Sequence, residues 1–252
     1  MRIDRIGGVL LALLVISSAG AQETNLTRAE VAAIKAKLVT VQQAMGADPT
    51  GYMKETEDFT LPTEFNPNTE ETGRFWPIGS GVYVRYGDRA AKELEARMED
   101  LSKRYTAAAA SVATDPDGFI KLTEEFTRVQ QEAAAQATAP RKEQLTVNLQ
   151  FNTGAYAAID PDAVVFERSG VIALRDSDVA GERGTVTVYL DPVALAQTET
   201  LSSLELKTPD NGVTNKTGVF NVQISLQGTI ADLEAWAQSF DTAAMLSVID
   251  SQ

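Results

Sequence analysis

QLTVNLQF, residues 144–151, is where the chain changes character. Leu145, Val147, Leu149 and Phe151 alternate with Thr146, Asn148 and Gln150, the period of two of a strand with one face buried and one face wet. Upstream, apolar residues recur at spacings of three and four. Downstream, short alternating runs take over. Helices first and strands second give an α+β class: an N-terminal three-helix, coiled-coil-like bundle, then a mostly antiparallel β domain with one late helix. The linker Ala139–Glu143 is the expected boundary, between a helical domain over residues 22–140 and a β-rich domain over residues 144–252.

The first helix starts at Thr27-Arg-Ala-Glu30, a capping box in which a hydroxyl and a carboxylate satisfy free N–H groups at the helix start. Val31, Ile34, Leu38, Val41 and Met45 follow as a narrow stripe, and Gly46 ends it. A second helix runs from about Asp88 to Ala113 with Ala91, Leu94, Met98, Leu101, Tyr105 and Ala108 on one face. Thr114-Asp-Pro-Asp-Gly118 turns the chain into a third, carrying Phe119, Leu122, Phe126, Val129 and Ala133 and closed by Pro140. These heptad-type stripes predict an antiparallel hairpin of helices two and three, with helix one beside it. The same stripes can also serve an oligomer.

Residues 47–87 interrupt this pattern with an irregular, aromatic-containing excursion. It holds Tyr52, Phe59, Phe65, Phe75, Trp76, Tyr83 and Tyr86, more rings than a disordered linker carries. In RFWPIGSGVYVRYGD, residues 74–88, the alternation of Val82, Val84 and Tyr86 with Tyr83 and Arg85 predicts a short strand. Phe75, Trp76, Tyr83 and Arg85 are the candidate binding residues, because Trp, Tyr and Arg anchor interfaces. Phe75 and Trp76 are expected to dock on the fold, since large exposed apolar groups need a partner. Tyr83 and Arg85, on the opposite strand face, are the better contacts for something outside the chain.

Beyond residue 144, strands are expected at Val164–Arg168, Val171–Arg175, Gly184–Leu190, Leu204–Lys207 and Val219–Leu226. Turn signals such as Asp160-Pro-Asp162, Ser169-Gly170 and Pro209-Asp-Asn-Gly212 separate them. Thr229–Phe240 reads as the late helix, with Ile230, Leu233, Trp236 and Ala237 on one face, and Met245–Ile249 as a last strand. This tail, GVFNVQISLQGTIADLEAWAQSFDTAAMLSVID, resembles the ferredoxin-like domain of PilO-type inner-membrane proteins of type IV pilus and type II secretion machines. The resemblance covers about 33 residues and implies scaffolding in envelope assembly, without catalysis. That family keeps its membrane helix, whereas this chain's N-terminus reads differently.

MRIDRIGGVLLALLVISSAGAQET has a basic start at Arg2 and Arg5, an apolar run from Ile6 to Ile16, and small residues ending in Ala-Gly-Ala21. This is the pattern of a secretory signal peptide cut after Ala21, which places the protein in the periplasm or outside the cell with no stable membrane span after cleavage. The alternative is an uncleaved inner-membrane anchor, although the run is short of the roughly 20 residues a span needs. Cleavage removes Arg2, Arg5 and Asp4, so 22 basic and 35 acidic residues become 20 and 34. A chain this acidic avoids nucleic acid.

With no cysteine in the 252 residues, stability must come from burial rather than disulfides. With no histidine, Ser-His-Asp and Cys-His nucleophiles and most zinc sites are excluded. Carboxylate chemistry, a Ser-Lys pair, a Lys Schiff base or an oxygen-ligated cation would survive that exclusion. Glu70-Glu71, Glu124-Glu125 and Asp176-Ser-Asp178 are the carboxylate pairs, but neighbours in sequence do not face one another across a substrate. Asp176 and Asp178 fall short of the EF-hand spacing. Ser102-Lys103 point in different directions on a helix. Asn25-Leu-Thr27 and Asn215-Lys-Thr217 match the glycosylation acceptor. No catalytic residue, metal or cofactor is assigned. The expected function is an exported, non-enzymatic binding or assembly protein with protein partners in the cell envelope. The alternatives are a carboxylate-based hydrolase acting on sugars and a small-ligand-binding protein with its site near Trp76 or Trp236.

Overall fold

The computed structural model describes residues 24–68, 73–110, 112–139, 141–178, 181–196 and 202–250. The expected signal segment and Glu70-Glu71 lie outside them. The elements in chain order are α1 (Arg28–Ala44), β1 (Tyr52–Thr60), β2 (Ser80–Asp88), α2 (Arg89–Ala109), α3 (Pro116–Thr138), β3 (Leu145–Phe151), β4 (Tyr156–Ala158), β5 (Val164–Arg168), β6 (Val171–Ser177), β7 (Arg183–Leu190), β8 (Ser203–Glu205), β9 (Val222–Thr229), α4 (Ile230–Gln238) and α5 (Thr242–Leu246). Seven strands form one antiparallel sheet in the order β1-β2-β3-β9-β7-β6-β5, and β4 pairs with β8 apart from it. Among the described residues no helix is long and apolar enough to cross a membrane.

The alternation that opens β3 builds the core. Leu145, Val147, Leu149 and Phe151 share one face with Val82 and Val84 of β2, Val186 and Val188 of β7, and Val222, Ile224 and Leu226 of β9. Onto that face pack Ile34, Leu38 and Val41 of α1, Leu233 and Trp236 of α4, and Met245 of α5. The capping box at Thr27 and Glu30 forms as its sequence requires: the Thr27 hydroxyl accepts from Glu30 N–H, and Glu30 accepts from Thr27 N–H at 2.7 Å.

This arrangement overturns the three-helix bundle. Only α1 precedes the sheet, and it joins α4 and α5 as a helical cover on the strands rather than packing with α2 and α3. The physical reason is the demand of the sheet. A row of bare Val and Leu side chains across five strands needs covering, and the α1 stripe is one of the few apolar faces able to meet it. Stripe width alone does not reveal the partner. β1 and β2 also belong to the same sheet as β3, so the 139–143 stretch joins a helix to a strand within one β unit and does not separate helices from strands. The 47–87 excursion likewise contains all of the nine-residue β1 and all but the last residue of the nine-residue β2, where one short strand was expected. The expected last strand at 245–249 is helical at its start, because Asp241 caps α5 by accepting from Ala244 N–H at 3.0 Å.

α2 and α3 do form an antiparallel pair, inserted between the hydrogen-bonded neighbours β2 and β3. They carry a seam of their own: Leu94, Leu101, Leu122 and Val129, flanked by Met98, Tyr105 and Phe126. Asp88 ties the root by accepting from Ala91 N–H at 2.9 Å and from Lys142 N–H at 2.8 Å. Lys92, one turn on, sits 3.4 Å from Glu55 of β1. At 1.5 Å per residue, α2 reaches about 30 Å. Two separable units of stability follow. Leu122→Ala should cost about 2–5 kcal/mol and strip amide-exchange protection from α2 and α3 while leaving β3 and β9 protected. Leu149→Ala should lower protection throughout the sheet. Hydrogen exchange resolved by residue checks both.

Candidate functional site

The second face of the sheet is only partly covered. Ile172, Leu174 and Tyr189 on β6 and β7 are roofed by Leu195, Leu204 and Leu206 beside the β4–β8 pair. Among the described residues, that roof does not extend over β9, β3 and β2. Strand register lays out the open floor in rows. Asp58, Tyr83, Asn148, Ser225 and Thr187 lie side by side across β1, β2, β3, β9 and β7. Below them run Thr60, Gly81, Gln150 and Gln223, and above them Thr56, Arg85, Thr146, Gln227 and Thr185.

The candidate residues therefore separate. Tyr83 and Arg85 stand two positions apart on this floor, and Tyr83 is 41% exposed. Arg85 Nε lies 3.2 Å from Glu55 Oε2, close enough for a charge contact though poorly aligned as a hydrogen bond. Phe75 is elsewhere, buried in a small cluster with Phe65, Val213 and Phe220, its ring edge-on to Phe65 at 5.3 Å. Its backbone bridges to Val213 in both directions, at 3.0 and 2.8 Å, so it serves packing. Trp76, its neighbour, is 40% exposed, against the expectation of docking, while its backbone N–H donates to Asn66 O. Only Phe75 can turn into the cluster, because adjacent residues in this bridged, extended segment point to opposite sides.

Gly81 creates a hollow in the floor. A Cβ there would lie 2.7 Å from the Leu149 carbonyl oxygen, so the two strands approach more closely than any side chain permits. Gly81 itself is buried, and the cavity beside it, about 290 Å³, is lined by Tyr83, Asn148, Gln150 and Thr153 and, among the described residues, by no charged side chain. One end is held by Asn152, which takes a left-handed φ of 55°. Its amide donates to Ile78 O at 2.8 Å and Gly218 O at 2.9 Å, and its oxygen accepts from Phe220 N–H at 2.8 Å. Next to it the fully buried Asn221 accepts from Thr153 N–H at 2.9 Å and donates to Lys207 O at 3.1 Å. These two amides fix the strand ends around the hollow and satisfy backbone groups that would otherwise be stranded.

Sequence reasoning missed Asn148, Gln150 and Gln223. Their signal was present in the polar phase of the alternation: Thr-Asn-Gln on β3 and Gln-Ser-Gln on β9, all uncharged in a chain of which 23% is charged.

Acid–base machinery does not assemble elsewhere among the described residues. Trp236 is buried between Tyr86 and Phe240, with its indole N–H donating to Ala47 O at 3.1 Å. Tyr52, also buried, donates to Asp232 Oδ2 at 3.0 Å, and Lys142 Nζ lies 2.7 Å from the same oxygen. Burial, with the Asp232 carboxylate adding to it, pushes the Tyr52 phenol up to about 12, so it is no proton donor or acceptor near neutrality. Asp191 is raised by burial, and its carboxylate is occupied by Val193 and Ala194 N–H at 3.0 and 2.9 Å. Asp178 accepts from Glu182 N–H in a turn, Glu125 faces Arg104 across the helical hairpin at 3.4 Å, and Lys103 is held by Glu99 at 2.6 Å. No group of three or more acidic side chains that could hold a metal occurs among the described residues.

Comparison with protein families, with curated proteins and with solved structures finds no match for this chain.

Two outcomes test this account of the site and its surroundings. Asn152→Ala should destabilise the protein by about 1–3 kcal/mol through lost hydrogen bonds and left-handed backbone strain, with Asn152→Gly intermediate, as read from denaturant midpoints. Burial also pushes Tyr86 up to about 12. Between about pH 10 and about pH 12 the unfolded chain then holds fewer protons at Tyr52 and Tyr86 than the folded one. Stability should be fully retained below that window and fall as pH rises through it, which urea titrations across the window would measure.

Proposed function

We propose that the chain is an exported, non-enzymatic binding or assembly protein of the cell envelope, and that the α2–α3 hairpin is its contact arm. The observation that carries this reading is the hairpin's independence. It has a complete apolar seam and is tethered to the body at its root, so the sheet does not depend on it for burial. A short turn would have joined β2 to β3, which are antiparallel neighbours. An arm of this length instead presents a long charged surface on a rigid base. Arg97–Glu132 at 3.0 Å and Arg104–Glu125 at 3.4 Å hold the two helices in register across that surface. Exposed pairs of this kind contribute little stability, typically below about 1 kcal/mol, but they fix which side chains face outward.

The secretory pattern of the N-terminus and the likeness of the tail to PilO-type assembly proteins support the envelope setting and a protein partner. Excising residues 92–139 and bridging the gap with a short glycine-containing turn tests the reading. The shortened protein should keep its cooperative unfolding transition. In the native host, photoreactive residues at exposed hairpin positions of the intact protein, such as Lys121 and Arg128, should cross-link a partner that the shortened protein, probed from its body, no longer captures. Cross-links that persist from the body alone, or none from the hairpin in the intact protein, would overturn the assignment of the arm.

A further inference from the structure

We infer that the open floor of the sheet is a binding site for a neutral saccharide, with Tyr83 as the stacking platform and Asn148, Gln150 and Gln223 as its hydrogen-bonding partners. The inference goes beyond the assembly reading, because it concerns a different surface from the helical arm.

On β3 and β9 every outward side chain from Thr146 to Gln150 and from Gln223 to Gln227 is a neutral hydrogen-bonding group. Thr185 and Thr187 continue the pattern on β7. The chain as a whole carries a net charge of −13. A face kept neutral against that background suits neither an anion, which the protein's overall charge repels, nor a cation, which needs carboxylates that the hollow lacks. Charges stand at the border instead, in Asp58 on the edge strand and in Arg85, which Glu55 balances. Carboxamides both donate and accept in a fixed plane. Sugar hydroxyls do the same and need both.

Gly81, itself buried, places no side chain between those of Thr60 and Gln150, and Tyr83 stands beside it on the same strand face. A flat ring next to a shallow polar hollow fits a pyranose, which has apolar C–H faces and a polar rim. The cavity of about 290 Å³ lies at the small end of ligand sites, enough for one or two sugar rings, with the rest of a chain running across the rows.

An extended peptide is the rival occupant. Peptides add to sheet edges. The near edge, β1, has a bulge between Lys54 and Thr56 and exposes Lys54, Glu57 and Asp58, all of which discourage pairing. Among the described residues, the outward side chains of β3 and β9 form no apolar pocket for a peptide side chain.

Titration of the full-length protein with cellohexaose, maltohexaose and the N-acetylglucosamine hexamer tests the inference, followed through the side-chain amide resonances of Asn148, Gln150 and Gln223. At least one sugar should shift these signals saturably. Tyr83→Ala should weaken that binding about tenfold, and Trp76→Ala, an exposed ring outside the hollow, should leave it unchanged. Both positions are exposed, and unchanged thermal unfolding would confirm that each variant folds. The inference falls if no sugar shifts the amides at concentrations up to about 10 mM, a Kd too weak to count as recognition. It falls equally if Tyr83→Ala binds as tightly as the parent, or if an uncharged extended peptide shifts the amides and the sugars do not. Amide signals that broaden with protein concentration in the absence of sugar would assign the face to a second copy of the chain. Cross-linking through the hairpin is unaffected by any of these results, so the two readings fail separately.

Discussion

Alternation in the two central strands governs this protein. β3 and β9 lie next to each other, and each turns a row of Leu, Val, Ile and Phe to one side and a row of Thr, Asn, Gln and Ser to the other. Because the side-chain period is two, a slip of one residue would exchange the two rows and place amides in the core. The register is therefore fixed by the hydrophobic effect on one face. The composition of the opposite face is then free to be set by what it meets. Helices α1, α4 and α5 follow as the cover for the apolar rows, and the partial roof over β6 and β7 follows from Ile172, Leu174 and Tyr189, whose outward positions are apolar too.

The sequence made local structure legible wherever a chemical signal had a single reading. The capping box at Thr27, the turn at Asp115-Pro116, and the strands at 145–151 and 164–168 all lie where residue type and period place them, and the strand expected at 171–175 runs two residues further. What could not be read was partnership. The α1 stripe of Ile34, Leu38 and Val41 is equally suited to a helix or to a sheet, and its partner is set by Val82 and Val84, more than forty residues away in the chain. β1 was hidden for a related reason. Its outward charges and its bulge, which guard an edge strand against pairing with other chains, also blur the alternation that would announce a strand.

The same contrast holds at the candidate site. Tyr83 and Arg85 could be found because a strand places alternate residues on opposite faces, and large polar groups on the wet face stand out. Phe75 and Trp76 are adjacent in sequence and alike in chemistry, yet one is buried and the other exposed. That difference comes from the backbone bridges that bind Phe75 to Val213, a long-range contact with no local signature. Asn152 is a further example. Only its left-handed backbone and its bonds to Ile78, Gly218 and Phe220 show that it ties three separate segments together.

The placement of the helical hairpin bears on how the chain finds this structure. β2 and β3 must meet across residues 89–144, and closing a loop of that length before any contact rewards it is entropically costly. Helices joined by a short turn close early, because their contacts are local and helices form within about a microsecond. Once α2 and α3 have zipped together, Asp88 and Lys142 are already neighbours, and the distance the strands must search collapses to that of an ordinary hairpin turn. The arm that projects from the finished protein is thus also a splint for one of its long-range pairings, lowering the effective contact order of a sheet that would otherwise assemble from distant parts of the chain.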